Sequence, residues 1–505
     1  MRKARIAAQR FDGKGRRRRL TQRDRPAGEC MSELGAAEIP VVQAEEKPPL
    51  PPIRSPQKNP LLDGPILKTL LKLAAPNVIA LTAGTCVAIA ETSYIGRLGV
   101  EPLAAMALVF PFVILMMTMS GGAMGGGVAS AIARALGADD AERAAALAVH
   151  ALMIGVCFGL TFMIGMLVFG PYLFAALGGS GRVLNEAIGY SQIFFGGAVL
   201  PWIMNTLAAL LRGTGNMKLP SAIILNSAFF QILFGGILGL GLGPIPQFGM
   251  RGVAAGTLMA FSIGAGIMAW YLLSGRSRVK LSFKDVRFQR AMFYDILQVG
   301  AIACFSPLQI VLTVTIFTHL LANFGTEVLA GYGIGARLEF MLTSLAFAVG
   351  IASVPMIGMA IGAGRVARAR RIAWTTGGVS FVIVGLFGSF FAIFPDIWVN
   401  LFTDNAAVRA ASREYLSIVG PFLSFVGLAI AVYFSSQGAA RVLGPVLAQT
   451  ARLAFVIAGG SLLMAQGATS TKFFWLAASS MMLLGILAAA AVRLTNWGPR
   501  EAAPQ

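Results

Sequence analysis

Residues 70–99 read LLKLAAPNVIALTAGTCVAIAETSYIGRLG, from Leu70 to Gly99. The stretch is long and apolar, and one carboxylate, Glu91, stands in it. About 20 apolar residues cross a bilayer, so the stretch predicts a transmembrane helix. Glu91 lies about six residues before the end of the apolar run, roughly 9 Å deep at 1.5 Å per residue. A carboxylate there is costly in lipid and should face protein or a water-filled cavity. The plainer alternative is a tilted helix end from which Glu91 reaches the headgroup layer. Pro76, near the other end, removes a backbone hydrogen bond and makes a natural hinge. An acid and a hinge on one helix suit a machine driven by protons or cations.

Composition agrees. The chain has 505 residues, 56% hydrophobic and 12% charged. Soluble domains carry about 25% charged residues, so this is a membrane protein. Lys plus Arg outnumber Asp plus Glu by 41 to 22. Their placement, described next, accounts for the excess without a nucleic-acid partner. Cys30, Cys86, Cys157 and Cys304 have no ligand spacing, so neither a metal site nor a disulfide framework is indicated. His150 and His319 each stand in an apolar segment, as packed or pore-lining side chains rather than metal ligands.

Residues 1–60 are basic and then proline-rich, cannot bury a core, and predict a disordered tail. The tail has no apolar core of the secretory-signal kind. Its Arg16–Arg19 run suits anionic headgroups, and whether translation begins at Met1 or Met31 stays open. From residue 65 onward the chain is a series of twelve apolar runs: 66–97, 101–135, 141–169, 183–211, 218–242, 250–273, 291–323, 327–361, 367–393, 407–436, 442–465 and 471–494. With the tail taken as cytoplasmic, the loops on its side carry Arg134, Arg143, Arg212, Lys218, Arg276, Arg278, Lys280, Lys284, Arg287, Arg290, Arg365, Arg368, Arg370, Arg371 and Arg441. The opposite loops carry only Arg97, Arg182, Arg251, Arg409, Arg413 and Lys472. This positive-inside bias places both termini in the cytoplasm of a cell whose plasma (inner) membrane holds the protein.

The longest polar break, Ser274 to Arg290, divides the spans six and six. The halves repeat each other. Gly99-Val-Glu101 recurs as Gly325-Thr-Glu327, and Tyr190, Gly213 and Pro220 recur as Tyr415, Gly438 and Pro445. The expected fold is all-α, with twelve transmembrane helices in two six-helix lobes related by a pseudo-two-fold along the membrane normal. The expected divisions are a tail (1–60), an N-lobe (61–274), a cytoplasmic linker (275–290), a C-lobe (291–495) and a C-terminal tail (496–505).

No catalytic grouping appears. There is no phosphate loop and no nucleophile elbow, so the reading is not an enzyme. Polar residues inside the spans are the candidates. Glu91 leads, and Glu339 stands near mid-run. Arg337 lies two residues from Glu339, off its helix face, so any partner of Glu339 must come from another helix. Asn226, Thr257, Tyr190 and Gln309 follow, each as easily interhelical glue as a ligand. Asp295, near the start of its run, reads as a helix-end contact. Met117 belongs to a run rich in Met and Phe that suits an adaptable apolar cavity.

Glu91-Thr-Ser-Tyr-Ile-Gly-Arg-Leu-Gly99 followed by Leu103-Ala-Ala resembles the first-helix signature of the multidrug and toxic compound extrusion (MATE) transporters. The loops Leu211–Pro220 and Gly243–Thr257 resemble family loops as well. The likeness runs over about residues 65–495. It implies a secondary antiporter that exports organic cations or other toxic compounds by alternating access, with a proton or sodium ion as the only cofactor. It implies coupling at Glu91 with Asn226 and Thr257 as partners; from the residues themselves, Glu339 is expected to assist and the substrate cavity to touch Tyr190, Gln309 and Met117. The family's acid four residues after the asparagine is here Phe230, and the second-lobe acids fall near Gln309 and Val426. A lone glutamate in a semi-apolar cavity is desolvated, which disfavours its charged form and favours protons over sodium. The expected partners are a cationic, amphipathic small molecule and the lipid bilayer, with a monomeric state. A flippase for lipid-linked saccharides, a non-transporting scaffold and a transporter of the major facilitator type are the alternatives. The flippase would want several cavity arginines, of which only Arg337 and Arg452 present themselves.

Overall fold

The structure, a computed structural model, describes residues 59–279, 281 and 288–498. The expected disorder of the N-terminal tail, the loop charges Lys280, Lys284 and Arg287, and the end of the C-terminal tail lie outside those residues. After a short helix, Pro60–Asp63, come α1 (Ile66–Leu98), α2 (Val100–Gly137), α3 (Ala141–Ala176), α4 (the pair Gly181–Gly196 and Val199–Gly213), α5 (Lys218–Leu240) and α6 (Gly249–Leu273). The second lobe follows with α7 (Arg290–Ala322), α8 (Thr326–Gly362), α9 (Val366–Ile393), α10 (Ala406–Gly438), α11 (Leu443–Ala465) and α12 (Ser470–Leu494). Among the described residues eleven helices are long and apolar enough to span alone, and twelve if the bent α4 pair counts as one. The protein is thus an all-α, multi-pass bundle. Large apolar side chains such as Phe169, Leu386 and Ile393 point outward, as a lipid-facing surface requires.

The irregularities have local causes. The two pieces of α4 meet at 45°, where Gly196 and Gly197 precede Pro201, whose nitrogen cannot bond the Gly197 carbonyl. The same place in the repeat, Gly420–Phe422 of α10, tightens into a 3₁₀ turn around Pro421. In α7, Pro307 frees the Ala303 carbonyl, which accepts from the Tyr433 hydroxyl at 3.1 Å. Within α2, Met119–Met124 widens into a π-turn. The paired glycines before α2 and α8 have φ of 129° and 98°. That region is costly for any residue with a Cβ, which explains why the Gly99 motif repeats at Gly325. By contrast, α1 continues through Pro76 as one helix.

The lobes meet chiefly where α2 crosses α8. A Cβ on Gly137 would strike the Met359 backbone, and one on Gly362 would strike the Arg134 backbone. Gly358 lies similarly against Ala133. Ser130 donates to the carbonyls of Gln437 at 2.5 Å and Gly438 at 3.1 Å. Among the described residues, every cross-lobe hydrogen bond that reaches α2 falls between Met119 and Gly137. These bonds therefore occupy the half of the bundle that carries the basic loops.

Candidate functional site

Glu91 sits on α1, 7% exposed. It does not reach outward to a headgroup layer. The Gln231 amide donates to its Oε1 at 2.8 Å, and the Thr257 hydroxyl donates to the same oxygen at 2.9 Å. Three helices, α1, α5 and α6, therefore converge on one carboxylate. Thr257 has one hydroxyl proton and a second acceptor within reach, the Val253 carbonyl at 3.1 Å. Its proton can serve Glu91 or its own helix, not both. Among the described residues Oε2 of Glu91 has no protein partner, which leaves that oxygen for a proton or a ligand. Both neighbours present hydrogens, not lone pairs, to the carboxylate. Tyr190 is buried in the same lobe, within electrostatic reach of Glu91.

The structure departs from the sequence-based assignments at several positions. Asn226 is exposed and donates to the Ala222 carbonyl of its own helix at 2.9 Å. It lies five residues before Gln231, about 140° around the helix at 100° per residue, so Gln231 takes the place expected of Asn226. Tyr190 does not line an open cavity. It is 1% exposed and stacks on Phe194 with ring centroids 5.7 Å apart. Gln309 is tied within its own lobe, donating to Thr450 Oγ1 at 2.6 Å. Met117 is half-buried, its sulfur 4.0 Å from the Asn205 amide, which itself donates to Ser120 at 2.8 Å.

Glu339, on α8, is half-buried. It accepts from the Tyr415 hydroxyl of α10 at 3.4 Å, and Arg452 of α11 is the cation that faces it. Arg337 instead lies over the Phe402 ring, 5.3 Å from its centre. Glu91 and Glu339 therefore occupy separate polar clusters, one in each lobe. His150 is buried and packed: its Nδ1 bonds the Ala146 carbonyl at 2.8 Å, and its Nε2 accepts from the Gln289 backbone at 3.0 Å. No group of three metal-ligating side chains occurs among the described residues.

Arg212 lies in the seam between the lobes. It lines a cavity of about 10 Å³, room for one water, together with Gly121, Gly125, Gly126, Ala129, Ile351, Val354 and Phe434. Its Nε is buried without a hydrogen-bond partner among the described residues.

Comparison with known proteins agrees with this architecture. The MatE family model matches residues 76–237 and 303–460, one match in each half. The chain is 28% identical over 434 residues to a probable multidrug resistance protein, NorM, of Deinococcus radiodurans, covering 81% of this chain and 91% of that protein. It is 26% identical over 312 residues to an FAD transporter of Shewanella oneidensis, covering 62% and 69%. Among solved structures, a MOP superfamily transporter from Pyrococcus furiosus superposes with a TM-score of 0.80 at 23% identity, over 86% of this chain and 97% of that one.

Proposed function

The chain belongs to the MatE family, and on that premise we propose that it exports small organic cations in exchange for protons, with Glu91 as the coupling group. It is a multi-pass membrane transporter with homologues in multidrug efflux. The basic end of the bundle is the cytoplasmic one, and the chain works as a monomer. The observation that carries the choice of proton is the lone carboxylate: Oε2 of Glu91 is free to take a proton, and no group of three metal-ligating side chains gathers on it among the described residues. A hard metal cation wants several oxygen ligands, whereas a proton needs one. Ionised Glu91 attracts the cationic substrate in the state open to the outside. Protonation on that side removes the charge, lets α1 bend near Pro76 and releases the substrate. The lobes then rock inward. Glu339 assists from the second lobe.

Protein in liposomes, loaded with ethidium and given an imposed pH gradient, tests this directly. Dye movement driven by the pH gradient alone is expected. Movement driven only by a sodium gradient would sink the proton assignment. No movement under either would favour the flippase or scaffold alternative. A second reading, export of an anionic compound, is favoured by the Arg212 Nε, buried in the seam without a hydrogen-bond partner among the described residues, and by likeness to an FAD transporter. Competition of ethidium efflux by FAD in the same vesicles separates the two.

Gln231→Leu is the sharper test of the donor set. Losing a hydrogen bond to a charged group costs about 1.5–3 kcal/mol. Dye efflux should fall by roughly 10-fold, whereas Asn226→Leu should leave it within about twofold. The reverse order would return the role to Asn226.

A further inference from the structure

The α2–α3 and α8–α9 corners are each flanked by arginines, and each corner grips a segment at or just ahead of the other lobe's first helix. At the α2–α3 corner, Arg134 and Arg143 both hold Asp295 near the start of α7, at 2.6 and 2.8 Å. Arg134 also bonds Ser130, whose hydroxyl reaches the Gln437 carbonyl of α10. After α8, Arg365 holds Asp63 at 2.8 Å and the Leu62 carbonyl at 3.0 Å, just ahead of α1. Arg368 donates to the Gly64 carbonyl at 2.5 Å. Leu61 of the same segment is buried, against Gly215 of the N-lobe and in one apolar cluster with Met359 of the C-lobe. Arg143 and Arg368 are equivalent in the internal repeat, 225 residues apart. One arginine of each grip thus stands at a matching place in the repeat, and both grips cross the seam at the cytoplasmic end.

We infer that these reciprocal grips, Arg134/Arg143 on Asp295 and Arg365/Arg368 on the Asn59–Gly64 segment, form the lock that holds the cytoplasmic end closed. The closed seam holds the buried Arg212 Nε without a hydrogen-bond partner among the described residues, and an unpaired buried polar atom is costly. The grips supply cross-lobe attraction that opposes this cost. They are unequal. Asp295 is 14% exposed and bound by two arginines, whereas Asp63 and Arg365 are 43% and 46% exposed. Exposed pairs are individually weak, so Asp295 is the stronger half of the lock. The Arg365 guanidinium holds the Asp63 carboxyl below its ordinary value, so the pair is ionised at neutral pH. The inference rests on the alternating-access reading. Its test reads conformation alone, so failure of coupling at Glu91 would leave its result unchanged.

In detergent-purified full chain with the native cysteines replaced by serine, one reporter is Met359→Cys. Met359 is fully buried at the seam beside Asn59. The second reporter is Met117→Cys, on the half of α2 away from the lock. Both are labelled with a water-soluble maleimide. Asp295→Asn should raise the labelling rate at position 359 by about 10-fold, and Arg365→Ala with Arg368→Ala by about 3-fold. Either change should lower the rate at position 117, because an alternating cycle closes one end as it opens the other. A rate at 359 within twofold of the parent overturns the lock. So does a rise at 359 without a fall at 117, which would mark general loosening of the fold.

Discussion

Glu91→Gln is expected to reduce pH-driven ethidium efflux to background while leaving the protein folded in the membrane. Glutamine keeps the size and hydrogen-bonding reach of the side chain, and the contacts with Gln231 and Thr257 can be re-formed from an amide. What it cannot do is exchange a proton. To swing a two-state equilibrium from 1:99 to 99:1, the coupling ion must prefer one state by about 10⁴-fold, and a permanently neutral side chain offers no such preference. Binding and transport therefore separate. Ethidium should still bind the variant, more weakly for want of the charge, without releasing protons. Glu91→Asp should keep part of the coupling, since it keeps a titratable group. Proton release on dye binding in unbuffered detergent solution, native chain against Glu91→Gln, is the measurement. Undiminished release from Glu91→Gln would place the coupling proton elsewhere, with Glu339 the next group to replace.

The second large effect is steric. Gly137→Val and Gly362→Val should each cut efflux by more than about 10-fold. A Cβ at either site falls on the backbone of the facing helix, Met359 in one case and Arg134 in the other. Backbone cannot turn aside as a flexible side chain can. Overpacking of this kind costs about 1–3 kcal/mol or more, and the lobes relieve it by staying apart at the cytoplasmic end. Gly165→Ala on α3 is the control. Nothing lies within 4 Å of the added carbon, so efflux and melting temperature should match the parent. If Gly137→Val transported normally, the tight crossing of α2 on α8 would not be an obligatory state of the cycle.

The spans, the six-plus-six division and the burial of Glu91 within protein were all legible in the chain. Length and hydropathy decide them, because a bilayer requires a certain run of apolar residues and penalises a charge within it. The repeat of Gly99 at Gly325 was legible for a similar reason, since a left-handed turn admits little but glycine. Thr257 meets Glu91 as expected, but which polar residue of α5 would meet it was not legible. The helix carrying Asn226 and Gln231 is apolar nearly all round, so its sequence does not fix its rotation. Only the packing of α5 against α1 and α6 turned Gln231 inward and Asn226 away. Asp295 shows the same limit. In sequence it is a charge near a helix end, and only the approach of the two lobes brings Arg134 and Arg143 onto it from more than 150 residues away. Composition tells a residue whether it belongs in lipid, water or protein. Which neighbour it finds there depends on helix rotation and lobe docking, which arise from contacts between segments that no single segment encodes.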